Sequence, residues 1–225
     1  MVLNLYNRGM KNFKPLLVIV SLLFIANHGL AQKSFAEGTI IYNVKLLTPD
    51  NKSIKGKYTF TFKGGQIRKD LSLSNGYEDV LLINTNTGTV YSLQNRLNKK
   101  YAIELNMADM KKKQEKFRGF KLVNEAANKE NIAGNAAYHA NIKYSDGTTG
   151  DIIYTKEWQP ASQIVFERFP EANFLPLKFS YNESADVIME FEALQVVPGP
   201  IENAVFRIPT DYKMISNAEY KELSK

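Results

Sequence analysis

The chain has no cysteine, two histidines and one tryptophan among 225 residues. Without cysteine there can be no disulfide, thiolate metal ligand or thiol nucleophile, so the fold must rest on its hydrophobic core. His28 lies in the N-terminal apolar region, which leaves His139 alone in the rest of the chain. A single imidazole cannot assemble the usual zinc set or a nucleophile–base pair. Its position between Tyr138 and Ala140 predicts a solvent-facing place on a strand. Glycine-rich phosphate loops are also missing, and Ser180 and Ser184 lack the glycines of a nucleophile elbow. These absences nominate no catalytic residue, no metal ligand and no cofactor.

Long apolar runs are scarce too. The one present, residues 15–26 (PLLVIVSLLFIA), follows Arg8, Lys11 and Lys14 and precedes Gly29-Leu30-Ala31. A dozen residues reach only about 18 Å as a helix, short of a roughly 30 Å hydrocarbon core. The order of basic region, apolar run and small residues predicts a signal peptide over residues 1–31, cleaved after Ala31. No cysteine follows it to take a lipid anchor, so the expected product, residues 32–225, is a soluble protein of the periplasm or exterior without a membrane span. Met10 would serve equally as the initiator. Removing the segment takes away three basic residues and leaves 26 basic against 23 acidic side chains, a net charge of +3. That balance, evenly mixed, argues against a nucleic-acid partner. About 194 residues remain, enough for one β-rich domain with a sizeable core.

What is present is alternation of period two. Ile40, Tyr42, Val44 and Leu46 form one apolar face, and Tyr58, Phe60 and Phe62 another. Turn signals at Gly64-Gly65, Asn75-Gly76, residues 84–88 (NTNTG) and residues 98–100 separate further strands over residues 67–73, 80–83, 90–93 and 101–105. The first half is therefore expected to be a six-strand meander. Residues 106–117 (NMADMKKKQEKF) lose the alternation; Asn106 reads as an N-cap, with Met107, Met110 and Phe117 along one helical stripe. Lys111-Lys112-Lys113 could attract an anionic surface or form a solvated helix face. Residues 124–136, polar and rich in Asn, Ala and Gly, read as a loop.

Alternation resumes at Tyr138, Ala140, Ile142 and Tyr144, and Asp146-Gly147 turns the chain back to Ile152-Ile153-Tyr154. Residues 159–173 read as irregular, with room for a helical turn around residues 161–166. Leu175, Leu177, Phe179 and Tyr181, then Val187, Met189, Phe191 and Ala193, give the last two strands, with Pro176 marking an edge or bulge. Ser216 and Glu219 have capping-box spacing ahead of a short terminal helix through Leu223.

The segments Gly38-Thr39-Ile40-Ile41-Tyr42, Ile132-Ala133-Gly134 with Tyr138, residues 150–155 (GDIIYT), Leu175-Pro176-Leu177 and residues 206–212 (FRIPTDY) together resemble exported Bacteroidetes proteins of the domain of unknown function 4412 type. Those proteins in turn resemble the periplasmic lipoprotein carrier LolA. The resemblance covers most of residues 36–215. It implies a mainly β protein, a curved antiparallel sheet forming a LolA-like half-barrel around an apolar cavity, with one or two short packing helices. It carries over no functional residue.

Two features bear on function. Glu190 and Glu192 point to one face of their strand, as a hydrolytic carboxylate pair or as the wet face of an amphipathic strand; Glu167 and Glu171 beside Arg168 raise the same question. The aromatics Tyr42, Tyr58, Phe60, Phe62, Tyr91 and Tyr101, joined by Tyr154, Phe179 and Phe191, are expected on the inner face of a curling sheet. There they would either fill a closed core or line a cavity for a lipid-like apolar ligand. Trp158 is expected to close one end. The expected function is a non-enzymatic periplasmic binding or carrier-like protein; the alternatives are an envelope module that binds a protein partner without a cavity and, with least support, a hydrolase.

Overall fold

The computed structural model describes residues 32–223 apart from 51, 97, 129, 162–165 and 185. The expected signal segment, residues 1–31, and most of the helical turn expected around residues 161–166 lie outside them. The strands are β1 (Lys33–Phe35), β2 (Glu37–Leu47), β3 (Ser53–Lys63), β4 (Gln66–Leu73), β5 (Glu78–Asn84), β6 (Thr89–Arg96) and β7 (Lys99–Leu105), followed by β8 (Lys121–Ala127), β9 (Tyr138–Lys143), β10 (Thr149–Thr155), β11 (Trp158–Pro160), β12 (Leu175–Ser184), β13 (Val187–Pro198) and β14 (Lys213–Ser216). Helix α1 (Met107–Glu115) joins β7 to β8, and α2 (Asn217–Glu222) ends the described chain. No helix among the described residues is long and apolar enough to cross a membrane.

Twelve strands form one curved sheet in the order β14-β7-β6-β5-β4-β3-β2-β13-β12-β10-β9-β8, antiparallel throughout except where β14 joins β7. The expected meander, β2 to β7, is one wing, and β8, β9, β10, β12 and β13 supply the other. The seam is the pairing of β2 with β13, from Leu47 opposite Ile188 to Gly38 opposite Pro198. At Gly38 the backbone has φ 155°, and a Cβ would stand 2.3 Å from a ring carbon of Phe35 and 2.5 Å from the Val197 carbonyl oxygen, so only glycine fits the crossing. The sheet is not closed: β14 and β8 are its two ends.

Alternation puts Ile40, Tyr42, Val44, Phe60, Phe62, Ile67, Val90, Ile142, Ile152, Tyr154, Leu177 and Phe191 into one core on the inner face. Phe35 of β1 caps one end, 4.7 Å from Phe62 and 5.4 Å from Trp158, where β1 pairs in parallel with β11. Trp158 also donates from Nε1 to Asn135 at 2.7 Å. In α1 the Asn106 side chain accepts from the Ala108 amide at 2.8 Å, and Met107 and Met110 rest on the core while Lys111, Lys112 and Lys113 stay in solvent. The Ser216–Glu219 capping box forms as spaced. Pro176 sits beside a bulge at Leu177, where the register of β12 against β10 shifts.

One boundary differs from expectation. Residues 121–127 are a strand, so the first four residues of the loop expected over 124–136 belong to it: β8 pairs with β9 from Lys121 opposite Lys143 to Ala127 opposite Tyr138, around a bulge at Asn124, φ 57°. As an edge strand exposed along almost its whole length, it has no buried face to impose alternation. Backbone pairing holds it, together with Glu125, which accepts from Lys156 at 2.6 Å and from the Tyr154 hydroxyl.

Candidate functional site

The inner face is not filled to the brim. A cavity of about 290 Å³ remains between the wings, near the lower end of the roughly 300–1,000 Å³ seen for small-molecule sites. Its walls are aromatic because cross-strand pairing stacks inward positions side by side. Phe179 and Phe191 are register partners with rings 4.8 Å apart and 6° from parallel, and Tyr181 stacks on Phe191 at 5.4 Å. From the other wing Tyr58 meets Phe191 edge-on at 5.5 Å, and Phe60 stacks on Phe166 at 5.2 Å. The cavity reaches solvent beside Tyr77, Glu167 and Glu183, all exposed.

A few charged groups enter this apolar space. Lys69 comes from β4, opposite Phe60 of β3, and is only 6% exposed. Its ammonium lies 5.6 Å from the centre of the Phe60 ring and has neither hydrogen bond nor ion pair among the described residues. Burial pushes its pKa down, with the nearby Glu167 carboxylate opposing. Arg168 lays its guanidinium 4.0 Å from the Tyr181 ring centre and 4.6 Å from that of Phe117, and is 3.7 Å from Glu183. Its Nε is buried with no hydrogen-bond partner among the described residues. Asp79 accepts from Gln94 at 2.8 Å and from Ser92 at 3.4 Å; burial raises its pKa against those bonds.

Of the six aromatics nominated from the first strands, Tyr42, Tyr58 and Phe60 line the cavity. Phe62 belongs to the same core but packs on Phe35, away from the cavity walls. Tyr101 has inward register yet lies beneath the C-terminal elements, with Ile215 and with Tyr220 at 6.3 Å. Tyr91 is a correction: in β6, Val90 points into the core, so Tyr91 faces outward with Leu82 and Leu93. That outer surface is covered by Ile208 and Tyr212 of the C-terminal segment, which gives an outward tyrosine a second apolar layer to join.

Glu190 and Glu192 lie on the outer face, each opposite a lysine in the register: Glu190 is 3.4 Å from Lys45 and Glu192 2.8 Å from Lys178. A groove of about 800 Å³ runs past them and past His139, whose Nε2 is 3.7 Å from Asp151. The two carboxylates thus sit in separate cross-strand ion pairs. Glu171 binds Arg118 and the Gly119 amide. Among the described residues no cluster of three or more His, Asp or Glu could hold a metal.

Lys69 and the cavity role of Arg168 were not anticipated. The signal for Lys69 is in the sequence: it keeps phase with Ile67, Leu71 and Leu73, an inward position occupied by a cation.

No protein-family model matches the chain, so none supports the likeness to the domain of unknown function 4412 type, and no curated protein matches it. Among solved structures it is similar to a LolA superfamily protein from Nitrosomonas europaea, at 8% identity and a TM-score of 0.35, over 77% of this chain and 91% of that one.

Proposed function

We propose that this chain is an exported, non-enzymatic binding or carrier-like protein of the cell envelope, with residues 1–31 as its cleaved signal, that takes an apolar, lipid-like ligand between the wings of its sheet. The observation that carries this reading is the 290 Å³ aromatic cavity, which is built from both wings and open to solvent at one side. A core that existed only to stabilise the fold would close at interior density, because each unfilled volume forfeits contact energy. The test is titration of the secreted protein with the neutral dye N-phenyl-1-naphthylamine, together with mass spectrometry of lipids that co-purify with it. Saturable fluorescence enhancement, competed by an acyl compound, is expected. Absence of saturable binding would overturn the reading.

A second reading, an envelope interaction module, is favoured by β8, a sheet edge that pairs on one side only and is exposed along almost its whole length. It predicts binding of a protein partner that is unaffected by filling the cavity.

A further inference from the structure

We propose that the cavity is selective for a single-chain amphiphile ending in a carboxylate, with Lys69 as the counter-ion of that head and the aromatic walls around its chain. This rests on the apolar-ligand reading above and specifies its chemistry.

The inference starts from an imbalance. Burying an ammonium in apolar surroundings is expensive unless it is paired and hydrogen-bonded. Lys69 is 6% exposed, packed against Phe60, and makes no hydrogen bond or ion pair among the described residues. Replacement by a leucine-like side chain would keep the alternation of β4 and avoid the cost, so the cation is unexplained by folding alone. Arg168 brings a second cation to the cavity; its guanidinium is beside Glu183, but its buried Nε has no acceptor among the described residues.

The acids around the cavity do not fill this gap. Asp79 is committed to Ser92 and Gln94. Glu183 lies beside Arg168, and Glu167 is solvated at the mouth, near enough to favour the charged ammonium but not bonded to it. A cation without an acceptor among the described residues, inside an aromatic pocket, defines the complementary ligand: an acceptor with negative charge attached to an apolar body. The single Lys69 ammonium, unpaired among the described residues, matches one carboxylate, and a cavity of about 290 Å³ suits one chain better than several.

The experiment displaces N-phenyl-1-naphthylamine from the secreted protein with decanoate, 1-decanol and decylamine, which share a chain and differ in the head. Decanoate is expected to bind about tenfold or more tightly than 1-decanol, and decylamine weakest. In Lys69→Met the preference for decanoate over 1-decanol should fall to about twofold or less, with 1-decanol affinity held. Equal affinity of decanoate and 1-decanol for the wild type, or an undiminished preference in Lys69→Met, overturns the headgroup assignment while the cavity reading stands. Failure of all three compounds and of the dye overturns both.

Discussion

The hydroxyl of Tyr42 donates a 2.9 Å hydrogen bond to the carbonyl oxygen of Pro176 in the interior of the protein. The bond reaches from β2 across β13 to the bulged start of β12, and it ties that bulge to the seam strand. It also explains how a phenol can stand 1% exposed on a face otherwise suited to phenylalanine. Tyr42→Phe keeps the ring and removes this donor from the buried Pro176 carbonyl. We expect a loss of about 1–2 kcal/mol in denaturant unfolding with an unchanged slope. A loss below about 0.3 kcal/mol would mean that water satisfies that carbonyl.

Phe62 and Tyr58 differ in a way that truncation should resolve. Phe62 is fully buried against Phe35 and Phe60, whereas Tyr58 is half-buried and faces the cavity. Phe62→Ala should cost about 3–5 kcal/mol of stability and leave the dye affinity of the folded fraction unchanged. Tyr58→Ala should cost less and weaken dye binding about tenfold. A full core-sized penalty at Tyr58 with no effect on dye binding would mean that the ring is core and not wall.

How far the sequence could be read depended on which physical signal each element carries. The meander and the Asp146-Gly147 hairpin were legible because one buried face imposes period-two alternation and glycine marks the turns. The edge strand β8 was not, because nothing on it is buried and its pairing is a matter of backbone alone. Tyr91 failed for a different reason. Alternation tells which residues share a face but not whether the opposite face is also covered, and the cover here, Ile208 and Tyr212, comes from a segment without alternation. Tyr42, Tyr58 and Phe60 could be nominated as wall or core from phase alone, yet the open volume beside them depends on how Phe166, Phe179 and Phe191 pack from the other wing.

Lys69 is expected to cost the protein stability, with a defined pH dependence. Burial lowers its folded pKa below the ordinary value of 10.5 to which unfolding returns it. Below the folded value both states are protonated and the full penalty is present; between the two values the unfolded chain binds more protons, so stability rises with pH. Lys69→Met removes this dependence. The variant should be more stable than the wild type at neutral pH by about 1 kcal/mol or more, and the difference should shrink as pH climbs toward 10.5. Comparing the two proteins cancels the titration of Asp79, Tyr58 and Tyr181, whose pKa values burial raises where it lowers that of Lys69. A wild type as stable as Lys69→Met across that range would show that the ammonium is solvated or paired.

Export is the premise of an envelope role and has its own test. Arg8, Lys11 and Lys14, the apolar residues 15–26 and Gly29-Leu30-Ala31 carry it. The first short strand, β1, begins at Lys33, directly beyond the expected cleavage point, and its Phe35 is needed to cap the core against Phe62 and Trp158. Cleavage after Ala31 spares that strand, whereas cleavage a few residues later would remove the cap. Expressed with its leader in a Gram-negative host, the protein should be recovered from the soluble envelope fraction with Gln32 as its N-terminal residue. An intact N-terminus in the cytoplasm would remove the export premise, and a start beyond Phe35 would contradict the role of β1 in closing the core.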